Sequence, residues 1–202
     1  MARKRKARRR RGSRWLIAIL AVLVIFMGVY AGHHFYQRYQ EQQVIERQQH
    51  AKQAFIKAIA PEAQAMQKKY HVYASITMAQ AILESDWGTS KLATKYHNLF
   101  GIKGTGANSK VLNTKEYVNG KWVTIKGRFQ VYSSWSASIK DHTQLMMTGT
   151  AYNNDNYKAV VQAKNYKAAA KALQNAGYAT DPSYAKKLIS VIETYNLDKY
   201  DN

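Results

Sequence analysis

Residues 15–32 read WLIAILAVLVIFMGVYAG, eighteen consecutive positions without a charge. As a helix rising 1.5 Å per residue, the run spans roughly 27 Å, close to the ~30 Å hydrocarbon core of a bilayer. The fourteen residues before it, MARKRKARRRRGSR, hold nine of the chain's 31 Lys and Arg and no acid. Basic residues ahead of an apolar span, with Trp15 and Tyr30 near its ends, predict a transmembrane helix whose N-terminal side stays in the cytoplasm. The rest of the chain is then exported. The competing reading is a cleaved signal peptide with Val29 and Ala31 as the small-residue site, although the apolar run exceeds a usual signal core. An Arg-rich arm also occurs in DNA-binding proteins. Beside an apolar span it sets topology instead, and no nucleic acid is expected as a partner.

Composition shifts twice after the span. Residues 33–50 are polar and Gln-rich and read as a stalk, helical in part. From residue 51 to 202 the pattern is globular, and the 46% apolar content of the chain is enough for a packed core. There is no cysteine, which removes disulfides, thiolate zinc sites and a cysteine nucleophile together. The expected organisation is a basic segment (1–14), an anchor (15–32), a stalk (33–50) and one domain (51–202).

Within that domain the periodicity is mostly helical. Phe55, Ile56 and Ile59 share one helical face, Pro61 fits the first turn of a further helix, and Ser75 is a good N-cap for ITMAQAILES. TKEYVNGKWVTIKG is the hairpin signal, with Asn119-Gly120 suited to a two-residue type I′ turn. Helical segments follow at SSWSASIKDHTQLMM, YKAVVQA and YKAAAKALQNAG, the last stopped by Gly177. Asp181 and Pro182 fit the cap and first position of a closing helix. The expected fold class is α+β, mostly α, with one small antiparallel hairpin.

Two carboxylates are out of place in this pattern. On a helical wheel Ile76, Met78, Ala79, Ile82 and Leu83 form one broad face, while Thr77, Gln80 and Glu84 form a strip about 60° wide. Glu84 also sits in the last turn, where the helix dipole disfavours another negative charge. Apolar neighbours and dipole would both raise its pKa, as a general acid for glycosidic cleavage requires. The alternative is that the strip simply faces water. In the hairpin, the turn pairs Val118 with Lys121, Tyr117 with Trp122 and Glu116 with Val123. Glu116 then shares the more aliphatic face with Val118, Val123 and Ile125. It belongs either to a site or to an exposed ribbon, bonded to a neighbouring Lys. The six histidines have no metal-binding spacing and there is no GxSxG elbow, so neither metal nor cofactor is expected. The many tyrosines, Tyr132, Tyr152 and Tyr178 among them, suit stacking on sugar rings but also core or rim positions.

SITMAQAILESDWGTSKLA, HNLFGIKG, TKEYVNGKW, FQVYSSWSASIKDH and AGYATDPSYAKKLI occur in this order over residues 51–202. Together they closely resemble glycoside hydrolase family 73, bacterial endo-β-N-acetylglucosaminidases of the autolysin and flagellar-muramidase type. The resemblance implies a lysozyme-like fold and hydrolysis of the β-1,4 bond between N-acetylglucosamine and N-acetylmuramic acid in peptidoglycan. It implies Glu84 as the general acid, Glu116 as the second carboxylate and Tyr178 as a substrate-positioning residue. Trp87, Asn98 and Phe100 take cleft-shaping, substrate-binding positions, and Tyr132 is a further substrate-binding candidate. The sequence departs from the family at Asp86, where Gly is frequent, and at Gln130 and Ser133, where an Arg and an Asp are usual.

The implied partners are peptidoglycan glycan strands and, through the N-terminal helix, the cytoplasmic membrane. Outside the first fourteen residues the chain carries 22 basic against 12 acidic residues, a net +10 that suits anionic wall polymers. Alternatives are a muramidase or lytic transglycosylase on the same fold, or a non-catalytic wall-binding module.

Overall fold

A computed structural model of the chain describes residues 2–118 and 121–202, with side chains except at 2–14, 115–118 and 122. The chain divides into two compact units, one ending at Ala51 and the other spanning Lys52–Asn202. In the first, every residue of the apolar run 15–32 is exposed. The run is long and apolar enough to cross a membrane.

Helix α1 (Ala2–Tyr70) is continuous through the positions where the sequence predicted a stalk and a break at Pro61. Pro61 lies inside it, so no new helix starts there. A mid-helix proline costs about 3 kcal/mol. Ile56 and Ile59, each 1% exposed, contribute roughly 1.5–3 kcal/mol apiece by burial, which offsets that cost.

Helix α2 (Ala74–Ser85) is the core helix of the second unit, buried on nearly all sides from Ala74 to Ile82. Its N-cap position is Tyr73, which makes no side-chain cap bond, so Ser75 is not the cap. The C-terminus does the capping instead. Asp201 accepts from the Ser75 amide at 2.8 Å and from its hydroxyl at 2.6 Å. That satisfies one of the free amide donors at the helix start. Helix α3 (Lys91–Tyr96) is capped by Ser90, as expected of a serine at this position.

Strands β1 (Ser109–Val118) and β2 (Lys121–Gln130) form a two-stranded antiparallel sheet. The pairs Val118–Lys121, Tyr117–Trp122 and Glu116–Val123 are those the turn predicted. The turn residues Asn119 and Gly120 themselves lie outside the described residues. The base of the hairpin is tied to the loop after α3: the Gly104 amide donates to Arg128 O, and the Gln130 amide to Ile102 O.

Helices α4 (Trp135–Thr148), α5 (Lys158–Val161), α6 (Tyr166–Asn175) and α7 (Tyr184–Tyr195) complete the fold, with a 3₁₀ turn at Leu197–Tyr200. Ser134 and Asn165 cap α4 and α6 through their side chains. Helix α7 starts two residues later than Pro182 predicted. Asp181 accepts from the Ser183 amide and hydroxyl, a local turn that competes with helix at that point. One apolar cluster joins α1, α2, α4, α6 and α7 through Ile56, Met78, Ile139, Leu173 and Leu188. The arrangement is a mostly helical α+β fold built around α2.

Candidate active site

Two members of the strip on α2 are turned away from water, and the third, Glu84, is exposed at its end. Thr77 and Gln80 are fully buried, and Gln80 Nε2 donates to the Tyr184 hydroxyl at 3.3 Å. That hydroxyl in turn donates to Glu84 Oε1 at 2.7 Å. The four-residue spacing of Gln80 and Glu84 on α2 lets one tyrosine from α7 bridge them.

Glu84 opens into a cleft of about 1170 Å³, whose lining includes Phe100, Tyr157 and Tyr178 on one side and Leu112 and Thr114 of β1 on another. The residue is exposed at the cleft surface, yet the surrounding walls displace much of the water its carboxyl would otherwise hold. This desolvation raises its pKa, and the Tyr184 hydroxyl, which favours the ionised form, only partly opposes it. A second, shallower depression of about 570 Å³ beside Trp135 and Ser133 contains no carboxylate.

The aromatic wall is layered. Tyr178 stacks on Tyr184 with ring centroids 5.8 Å apart, and meets Tyr157 and His142 edge-on. His142 stacks on Phe100 at 4.0 Å. The imidazole is fully buried, and neither ring nitrogen has a hydrogen-bond partner among the described residues. Burial lowers its pKa to about 3, so it stands neutral under the cleft wall. Burial together with the Glu84 charge keeps the Tyr178 and Tyr184 phenols protonated.

The sequence-predicted residues fall into four groups. Glu84, Phe100 and Tyr178 come together at the cleft. Asn98 is buried beneath it: Nδ2 donates to Ile102 O and Gln130 O, and Oδ1 accepts from the Phe100 and Ile102 amides. With these hydrogen bonds Asn98 braces the segment that carries Phe100 and Ile102 in the cleft lining. Trp87 and Tyr132 are not on the cleft lining. Trp87 packs edge-on against Tyr195 at 4.6 Å, with the Lys52 ammonium over its ring. Tyr132 donates to Asp141 Oδ2 at 2.5 Å. The side chain of Glu116 lies outside the described residues.

Asp86 is the C-cap of α2 and, like Trp87, adopts a left-handed conformation (φ 50° and 58°). That backbone explains why Gly suits the position, and Asp is among the residues that tolerate it. Its carboxylate accepts from the Thr89 hydroxyl and is not part of the cleft lining. The departure at Gln130 leaves the site's scaffold intact, since Asn98 uses the backbone carbonyl there.

A family model described as mannosyl-glycoprotein endo-beta-N-acetylglucosaminidase, the glucosaminidase domain, matches residues 60–197. The chain belongs to this glucosaminidase family. It is 51% identical over 150 residues to the exo-glucosaminidase LytG of Bacillus subtilis, covering 74% of this chain and 53% of LytG. It is 39% identical over 183 residues to a probable N-acetylmuramidase of Lactococcus lactis subsp. cremoris, covering 88% of this chain and 41% of that protein. The chain therefore spans about half the length or less of these relatives. Among solved structures, the catalytic domain of the autolysin Auto from Listeria monocytogenes superposes with a TM-score of 0.69 at 40% identity. That match covers 75% of this chain and 88% of that one. The glucosaminidase fold is the lysozyme-like one the motifs implied.

Two groups behind Glu84 were not connected to it by the sequence. Tyr184 and Glu84 are 100 residues apart, and no spacing rule links them. Gln80 was visible as a member of the polar strip, but its partner was not.

Proposed function

We propose that this chain is a membrane-tethered peptidoglycan hydrolase that cleaves the β-1,4 bond between N-acetylglucosamine and N-acetylmuramic acid. The observation that carries the reading is Glu84: a carboxyl held in an aromatic-walled cleft, with its pKa raised by desolvation and its orientation fixed by Tyr184. A carboxylic acid whose pKa is raised holds its proton to higher pH than an ordinary carboxylate and can deliver it to the glycosidic oxygen as the bond breaks, and charge then develops at the anomeric carbon.

Glu116 is the proposed second carboxylate. Strand β1 runs along the cleft, with Leu112, Asn113 and Thr114 in its lining, and position 116 follows on the same strand, which supports the reading. It would stabilise or trap the developing cation, activate water, or yield that role to the substrate's own 2-acetamido group. Tyr178 and Phe100 supply flat apolar surface for a pyranose ring. The apolar helix would hold the enzyme at the cell membrane with its catalytic domain outside, or leave it in the wall if cleaved. The net +10 of the chain beyond residue 14 favours a wall rich in anionic polymer.

The names of the Lactococcus relatives favour a second reading, a muramidase on the same cleft. Mass analysis of fragments released from purified peptidoglycan separates the two. Reducing-end N-acetylglucosamine is expected, and reducing muramic acid or an anhydro end would refute the proposed bond. Fragment length over time also distinguishes attack within strands from the exo action named for LytG.

A further inference from the structure

Residues 149–156, GTAYNNDN, lie between α4 and α5 and are closed by their own hydrogen bonds. Thr150 and Asn153 exchange both backbone hydrogen bonds, at 2.9 and 3.1 Å, which closes a two-residue turn with Ala151 and Tyr152 at its tip. The Thr150 hydroxyl accepts from the Asn153 amide as well, and Asn153 Oδ1 accepts from the Asp155 amide. Asn156 Nδ2 donates to Ala176 O, which fastens the foot of the loop to the end of α6. Gly149 enters the loop at φ +70°, and a Cβ there would collide with the Asn153 carbonyl oxygen.

What this scaffold displays is a single aromatic ring. Tyr152 is 100% exposed, so it contributes nothing to the core. Thr150, Ala151 and Tyr152 nevertheless line the same cleft as Glu84 and Tyr178. An aromatic ring left in water on a hydrogen-bonded backbone turn is available to a ligand on its face, and tyrosine loses little side-chain entropy when it is used. Its neighbours Asn153, Asn154, Asp155 and Asn156 are all polar, so the tip is not an apolar patch for a protein or a lipid surface. One ring among amides and hydroxyls matches a pyranose, which has an apolar C–H face and a polar rim.

We propose that Tyr152 is a sugar-stacking platform at the open margin of the cleft, binding a pyranose of the glycan strand through its ring face. This rests on the reading of the cleft as a glycan site and adds a subsite to it. The role is binding of the polymer, so its loss is read mainly in affinity and in KM, and less in kcat.

The test uses the full chain in detergent, in wild-type form and as Tyr152→Ala, Tyr152→Phe and Tyr152→Trp. Binding to insoluble peptidoglycan is measured by sedimentation in a Glu84→Gln background, alongside turnover without that change. The Ala variant should bind about tenfold more weakly and raise KM by a similar factor, with an unchanged melting temperature because the ring touches nothing. Phe and Trp should restore both. Unchanged binding by the Ala variant, or a Phe variant as weak as Ala, would overturn stacking. A wild-type chain that lyses walls while binding independently of residue 152 sinks this inference alone. A chain inert toward walls, yet bound in a Tyr152-dependent way, sinks the proposed reaction and leaves the subsite standing. A chain that neither binds nor lyses overturns both.

Discussion

The Tyr184 hydroxyl donates to Glu84 Oε1 at 2.7 Å while accepting from Gln80 Nε2 at 3.3 Å. The tyrosine thus fixes the rotamer of the candidate acid and moderates its affinity for a proton. Desolvation raises the Glu84 pKa, and this bond works against it.

Replacing Tyr184 with Phe removes the hydroxyl that bonds both Glu84 and Gln80, so the Glu84 pKa rises further. The alkaline limb of kcat/KM, which reports the acid in the free enzyme, should move to higher pH. Stability should fall by about 1 kcal/mol because Gln80 also loses its partner. A pH–rate profile checks the shift, and movement of the limb toward lower pH would contradict it.

His142 predicts an acid-sensitive fold. Its pKa drops from 6.5 to about 3 on burial, so between those values the unfolded chain binds a proton that the native chain does not. This contribution to stability is complete above about pH 6.5 and is lost as pH falls toward 3, at about 1.4 kcal/mol per pH unit at most. Denaturant unfolding over that range should show the slope, and His142→Phe should flatten it while keeping the stack on Phe100.

Gly149 should not tolerate a side chain. At φ +70°, an added Cβ would meet backbone atoms of Asn153 and Asn154, which cannot rotate away. Gly149→Ala should cost at least about 1–3 kcal/mol, read as a lower melting temperature. Gly101, also at positive φ but with open space around it, should lose less when changed to Ala.

Asp201 staples the C-terminus to the start of α2 through Ser75. Asp201→Ala should destabilise the domain by about 1–2 kcal/mol, the range for losing a helix cap. Ser75→Ala, which keeps the amide bond, should lose less. Thermal melts of the two variants give the order directly.

The legible parts of this molecule were those set by local chemistry. The pairing expected from Asn119-Gly120 in the sequence is the one observed, Val118 against Lys121 and Tyr117 against Trp122, because a two-residue turn leaves one register. Gly177 stopped α6, and Ser134 and Asn165 cap their helices as such residues do. The misreadings came where distant chain competes with local preference. Pro61 looked like a start, but buried isoleucines carry α1 through it. Ser75 looked like a cap, but Asp201 reaches it from 126 residues away. At the site, Glu84 stood out because a carboxylate interrupted an apolar helix. Its partner Tyr184 could not, since nothing in the sequence brings α7 to α2. Trp87, a cleft-shaping position by the family resemblance, packs against Phe55 and Tyr195 after the left-handed turn at Asp86 and Trp87, a direction that no local sequence pattern fixes.

The central claim is that Glu84 is the proton donor for glycan cleavage, and a peptidoglycan zymogram tests it most directly. Wild type, Glu84→Gln and Glu116→Gln are run side by side, with circular dichroism confirming that each is folded. A clear band for wild type, no clearing for Glu84→Gln and reduced clearing for Glu116→Gln are predicted. Clearing by a folded Glu84→Gln equal to that of wild type would contradict the account.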